Sequence, residues 1–260
     1  MTRALHTGAS GMAAQQLNVD VVANNIANVN TTGFKKQAVN FQDLFYAIQT
    51  APGTKSSDEG RNPAGTQIGH GVKVSSTPRI FTPGTMEVTE VPTDMAIEGD
   101  GFFEVLLPDG TAAYTRAGDF RPDVNGNLVT PDGYRLQPPI TIPDNVTQIS
   151  VSTTGIVTVL ADGTQSDIAQ LNLVRFRSPT GLASQGRNLF GETEASGPPQ
   201  VGLPGDPGFG SIRSGALEKG NVEVVTELVN MIVAQRAYDM NSKTVRSSDQ
   251  MMQTANDIIR

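Results

Sequence analysis

The sequence predicts an α+β protein: a helix at each end of the chain and a mainly antiparallel β domain inserted between them. Three observations carry this. A large apolar side chain recurs at every seventh position near the end, through Val224, Met231, Tyr238, Val245, Met252 and Ile259. Leu5, Met12, Val19 and Ile26 repeat the same period near the start. Every proline falls between positions 52 and 207, so neither terminal stretch carries a helix breaker.

Taken in order, residues 4–28 read as the first helix. Gly8 and Gly11 weaken it by roughly 1 kcal/mol each against Ala. With Ala9 and Ser10 they form a small-residue face that lets another backbone come close. The run Asn28-Val29-Asn30-Thr31-Thr32-Gly33 then supplies residues suited to a helix end and turn. Phe34, Phe41, Phe45 and Tyr46 concentrate aromatics just after it, outside both the helix and the β domain, and Phe41, Phe45 and Tyr46 are candidate contacts between subunits. From Ala51 to Gly71 the composition turns to Pro, Gly, Ser and Thr. That is long for a loop within a compact domain, so the stretch is functional, disordered or ordered against a partner.

Residues 72–215 read as β. Asp109-Gly110, Asn125-Gly126, Asp132-Gly133 and Asp162-Gly163 are hairpin signals between short apolar or alternating runs. Leu171 and Leu173, then Val174 and Phe176, change phase by one, which suggests a β-bulge. Residues 197–210 form a Gly/Pro-rich loop. Asn221 is a plausible N-cap for the second helix, with Glu223 favourable to its dipole.

A period of seven sustained over five intervals points to a coiled-coil seam. The positions four further on are Leu228, Gln235, Ser242, Asp249 and Asn256, so this stripe is half polar and needs a mate. The first helix, with its matching period, is the mate. The expected division is a terminal helical domain of residues 1–33 and 221–260, a joining segment of 34–71 and an outer β domain of 72–220. Leu5, Met12, Val19, Ile26 and the line from Val224 to Ile259, with Leu228, form the expected assembly seam.

Composition excludes several functions. All seven net negative charges fall on the middle of the chain, which argues against nucleic acid or an anionic membrane as partner. With no cysteine there are no disulfides, thiolate metal sites or cysteine nucleophiles. Asp20 and Asn24 interrupt the only apolar run near the start, so no ordinary signal peptide is expected. His6 and His70 lack spaced partners for a metal site or a triad. Asp123, Asn125 and Asn127 have the look of a calcium loop, but Gly126 is misplaced and Tyr134 stands where its last ligand belongs. Gly99-x-Gly101 lacks the third glycine of a dinucleotide fingerprint. No enzyme, cofactor, metal or small-molecule substrate is expected.

Four motifs in order resemble the bacterial flagellar rod and hook family from end to end. The first is Asn24-Asn25-Ile26-Ala27-Asn28-Val29-Asn30-Thr31-Thr32-Gly33-Phe34-Lys35. Ile97-Glu98-Gly99-Asp100-Gly101-Phe102-Phe103 and Tyr114-Thr115-Arg116-Ala117-Gly118-Asp119-Phe120 follow. Glu227-Leu228-Val229-Asn230-Met231 and Gln235-Arg236-Ala237-Tyr238 close the series. The resemblance implies a self-assembling structural subunit in the distal part of the rod, a drive shaft crossing the periplasm and passing torque to the hook. Its implied partners are further copies, proximal rod proteins, hook protein, the P- and L-ring proteins, the flagellar export apparatus and the rod cap. Residues 46–72 favour the distal over the proximal rod. A cell-wall hydrolase and a closed coiled-coil oligomer presenting a β binding domain are the competing classes.

Overall fold

The computed structural model describes residues 2–53, 63–143, 145–161 and 164–259. The Asp162-Gly163 turn and the middle of the 51–71 stretch, residues 54–62, lie outside the described residues, as does the side chain of Ile259. Two helices flank the β region, α1 at Thr2–Ala27 and α2 at Val224–Ile259, and every strand pairing described is antiparallel. The chain divides into two compact units, residues 1–26, 37–78 and 224–260, and residues 27–36 and 79–223.

In the helical unit α1 and α2 touch and run antiparallel. Gly8 lies against Val245, Gly11 against Asn241 and Asn25 against Glu227. The glycines are what permit this approach. A Cβ on either would stand 2.7 Å from Val245 Cγ2 or Asn241 Nδ2, closer than real contacts allow. The same unit holds two strand pairs, Asn40–Asp43 with Val72–Ser76, and Tyr46–Thr50 with Thr66–Gly69. Phe41, Tyr46 and the end of the 51–71 stretch are therefore in strands, while Phe45 lies between two of them. Backbone pairing supplies the order that the composition did not announce.

The β unit carries a seven-stranded sheet. Its strands are Ala183–Gly186, Leu189–Gly191, Ala112–Thr115, Phe103–Leu106, Arg135–Gln137, Leu128–Val129 and Arg121–Pro122, in that spatial order. Gly110, Gly126 and Gly133 each take a positive φ at its turns, as the Asp-Gly and Asn-Gly signals require. A three-stranded sheet of Val146–Val151, Ile156–Ala161 and Thr164–Gln170 stands beside two-stranded pairs such as Met95–Glu98 with Ser211–Ser214.

The phase change at Leu173 is not a bulge. Leu173–Arg175 pairs in unbroken register with Gln200–Gly202. Leu171 and Leu173 point into one apolar cluster, with Phe103, Phe120 and Ile212, while Val174 and Phe176 point into another, with Phe102, Tyr114 and Phe190. A strand buried on both faces reads as a phase slip because no polar face marks the alternation. Among the described residues no helix is long and apolar enough to cross a membrane.

Candidate functional site

Three of the sequence motifs converge on one residue that none of them contains. In the strand Ala216–Glu218 the first and third side chains face inward, so alternation buries Glu218 completely. Its Oε1 accepts Lys35 Nζ at 2.6 Å and the Gly84 N–H at 2.8 Å. Its Oε2 lies 3.2 Å from Arg116 Nε, an ion pair without hydrogen-bond alignment. Lys35 Nζ also donates to the Thr82 carbonyl at 2.8 Å. Arg116 donates to the carbonyls of Gly99 and Gly101, each at 2.8 Å.

One buried anion thus sits between two buried cations and ties the Thr-Gly-Phe-Lys, Gly99–Phe103 and Tyr114–Phe120 motifs together. Burial and the charge of Arg116 lower the Lys35 pKa to about 8, against the pull of Glu218. Gly33 is required here for two reasons. Its φ is +68°, and a Cβ would lie 2.5 Å from the Ala117 nitrogen. Its N–H donates to the Glu218 carbonyl at 2.7 Å. Phe34 is buried beneath the Arg79 guanidinium, 5.6 Å from the ring centre, and Arg79 donates to the Lys35 carbonyl.

Asn221 does not cap α2, which begins at Val224. Its Oδ1 accepts the Lys36 N–H and its Nδ2 donates to the Ile80 carbonyl, both at 2.8 Å, so it clips two loops together. A polar residue before a helix looks like a cap in sequence, and only the nearby loops show its other use.

In the helical unit the signature residue Asn25 is buried. Its side-chain amide closes a two-way bond with the backbone of Gln37, accepting at 2.9 Å and donating at 2.8 Å, and it also donates to Glu227. Asn28 accepts from Thr31 Oγ1, and the Thr32 carbonyl accepts from Asn188. Asn24, Asn30, Gln235 and Arg236 are exposed.

The expected seam divides. Leu5, Met12, Val19, Ile26, Met231, Val245 and Met252 are half-buried, whereas Val224, Leu228 and Tyr238 are exposed. Among the described residues the fully buried positions of α2 are Glu227, Ala234 and Ser248, which lie three residues after the large apolar line, not four. Those of α1 are Gly8, Gly11, Ala14, Val21, Val22 and Asn25. On α2 these buried positions are small or polar and give little hydropathy signal, so there the line was hidden beside the larger side chains. Val225, Leu228, Val229, Ile232 and Val233 stay at least 45 % exposed. Phe41, Phe45 and Tyr46 are exposed too, with Phe45 stacked on His70 at 4.8 Å. Asp123 Oδ1 accepts the amides of Asn125 and Asn127, the bonding of a hairpin turn.

Glu218, Arg79 and Asn188 carry much of this architecture and were missed, and Glu227 stood only as the first residue of a family motif, with no role assigned. For Glu218 the available signal was an acid in step with Ala216 on a short strand.

A helix at each end of the chain, a β region between them in sequence and an apolar helix face left open suit a self-associating structural subunit, and family models match that kind of protein. "Flagella basal body rod protein" matches residues 5–35, "Flagellar hook protein FlgE/F/G D1 domain" 96–159 and "Flagellar basal body rod FlgEFG protein C-terminal" 213–258. Flagellar basal-body rod protein FlgG of Borreliella burgdorferi is 49% identical, covering 100% of both chains. That of Caulobacter vibrioides is 48% identical over 98% of this chain and 99% of its own, and that of Bacillus subtilis 41% over 97% of each. The flagellar hook protein FlgE of Helicobacter mustelae is 48% identical, but over 53% of this chain and 30% of its own. The chain belongs to the flagellar basal-body rod and hook family, on the rod side of it. It is a structural protein and not an enzyme, located in the flagellar basal-body rod with other rod and hook components.

Proposed function

We propose that many copies of this chain stack into a rigid tube, the distal rod, which acts as drive shaft across the periplasm and passes torque from motor to hook. The observation that carries this is the apolar face of α2 around Val225, Leu228, Val229, Ile232 and Val233, which the chain itself leaves uncovered. Fully burying one such side chain stabilises by roughly 1.5–3 kcal/mol, and half as much when it is already half-covered. Five of them amount to about 5 kcal/mol per contact before the entropy cost of association, so a stable tube needs such contacts repeated around and along it.

In this reading α1 and α2 pack as a coiled coil in the inner layer, the seam residues at period seven meeting neighbouring copies. Buried polar residues such as Asn25 and Glu227 set register rather than strength. Residues 1–33 and 221–260 form the inner layer, 34–71 the joining segment and 72–220 the outer β domain. Phe41 and Tyr46, exposed on their strands, and Phe45, exposed between them, contact adjacent subunits. Proximal rod proteins lie below, hook protein above, and the P- and L-ring proteins surround the tube. The flagellar export apparatus delivers the chain to the growing end under the rod cap.

The test is electron microscopy of concentrated full-length protein beside the Leu228→Asp/Ile232→Asp variant. Straight tubes are expected from the natural chain and none from the variant. Tubes of equal length and number from both would refute the role of this face.

A further inference from the structure

A cleft of about 500 Å³ opens on the β unit beside Phe102 and Phe176. Three arginines line it, Arg116, Arg175 and Arg177, against a single acidic residue, Asp100. Arg116 is fully engaged with Glu218 and two carbonyls. Arg175 donates to the Gly208 carbonyl at 3.1 Å and lies 5.7 Å over Phe209. The Arg177 side chain makes no hydrogen bond or ion pair with any described residue. In a chain of net charge −7, an unpaired guanidinium beside aromatic rings suits a carboxylate on an apolar stem.

The same unit presents such carboxylates on a braced loop. Thr193 Oγ1 donates to the Gly181 carbonyl at 2.6 Å, and buried Ser196 exchanges bonds with Thr193 in both directions. On this frame Glu192 and Glu194 are exposed, and neither makes an ion pair with a described cation. The loop is also tethered near the cleft, because the Ser178 N–H donates to the Ser196 carbonyl at 3.3 Å. Yet no described carboxylate comes within 4 Å of the Arg177 guanidinium.

We propose that the Arg175–Arg177 cleft is a docking site for the 192–196 loop of a second copy of this chain, Glu194 pairing with Arg177. This rests on the reading that copies associate, and adds the β unit to a contact otherwise assigned to the helices. Partial exposure makes the pair sensitive to salt and important for which copy docks where.

The natural absence of cysteine gives a direct test with full-length chains. One chain carries Arg177→Cys and another Glu194→Cys. On mixing and mild oxidation the mixed disulfide should form in clear excess over either like pair. In parallel, Arg177→Glu and Glu194→Arg should each weaken association on the order of tenfold by sedimentation. An equimolar mixture of the two variants should recover it, since every contact then joins opposite charges, and that recovery also excludes misfolding. Natural association by the single variants, or no recovery on mixing, would overturn the proposal. Tubes that persist in Arg177→Glu would leave helical assembly standing while removing this contact. A natural chain that stays monomeric would overturn both.

Discussion

Replacing Glu218 by Gln should damage the fold far more than replacing Lys35 by Met, though the two side chains face each other at 2.6 Å. Both are fully buried, and among the described residues Glu218 is the one anion paired with both Lys35 and Arg116. Glu218→Gln leaves two buried cations uncompensated, and breaking a buried pair in this way costs about 3–5 kcal/mol. Lys35→Met leaves Glu218 with Arg116 and the Gly84 N–H, so the loss is two charged hydrogen bonds offset by removing a desolvated ammonium, about 1–2 kcal/mol. Adding Lys35→Met to Glu218→Gln should therefore recover part of the loss. Native-state amide exchange at Phe103–Leu106 and Ala112–Thr115 measures the β unit directly.

The pH dependence supplies a second readout. The folded pKa of Lys35, about 8, lies below its ordinary 10.5, so between these values the unfolded chain binds more protons. Stability from this group is flat below about 8 and rises with pH through that window, and Lys35→Met should lose the rise. Equal costs for the two single variants would refute the reasoning. So would a Lys35→Met cost that adds in full to that of Glu218→Gln.

Gly33→Ala should destabilise the β unit by at least about 2 kcal/mol, since it forces a left-handed conformation and a backbone clash together; chemical denaturation followed by far-UV circular dichroism checks this. Gly11→Leu should separate α1 from α2 while leaving the β unit folded, so amide protection would fall across Thr2–Ala27 and stay unchanged in Phe103–Leu106. Asn25→Ala should cost about 2 kcal/mol in the helical unit, because the Gln37 backbone loses both partners, whereas Asn30→Ala at an exposed position should cost almost nothing.

Local patterns in the chain determined the two terminal helices, the glycine approach at Gly8 and Gly11, the described Asp-Gly and Asn-Gly hairpins and the family. Each depends on residues within a few turns or on an unbroken motif, and neighbouring side chains carry such information without the rest of the fold. Tertiary structure alone decided what those motifs are for. Lys35 and Glu218 stand 183 positions apart, and Asn25 and Glu227 202 apart. A strand with both faces buried looked like a bulge, and a clip between loops looked like a helix cap. The helix contact itself runs through Gly, Ala, Ser, Asn and Glu, residues chosen for closeness and hydrogen bonding. Hydropathy registers the energy of leaving water, which is large for Val224 and Leu228 and small for those residues. The period-seven line thus marked side chains that are half-buried or, at Val224, Leu228 and Tyr238, exposed, while which residues of the two helices meet became visible only in three dimensions.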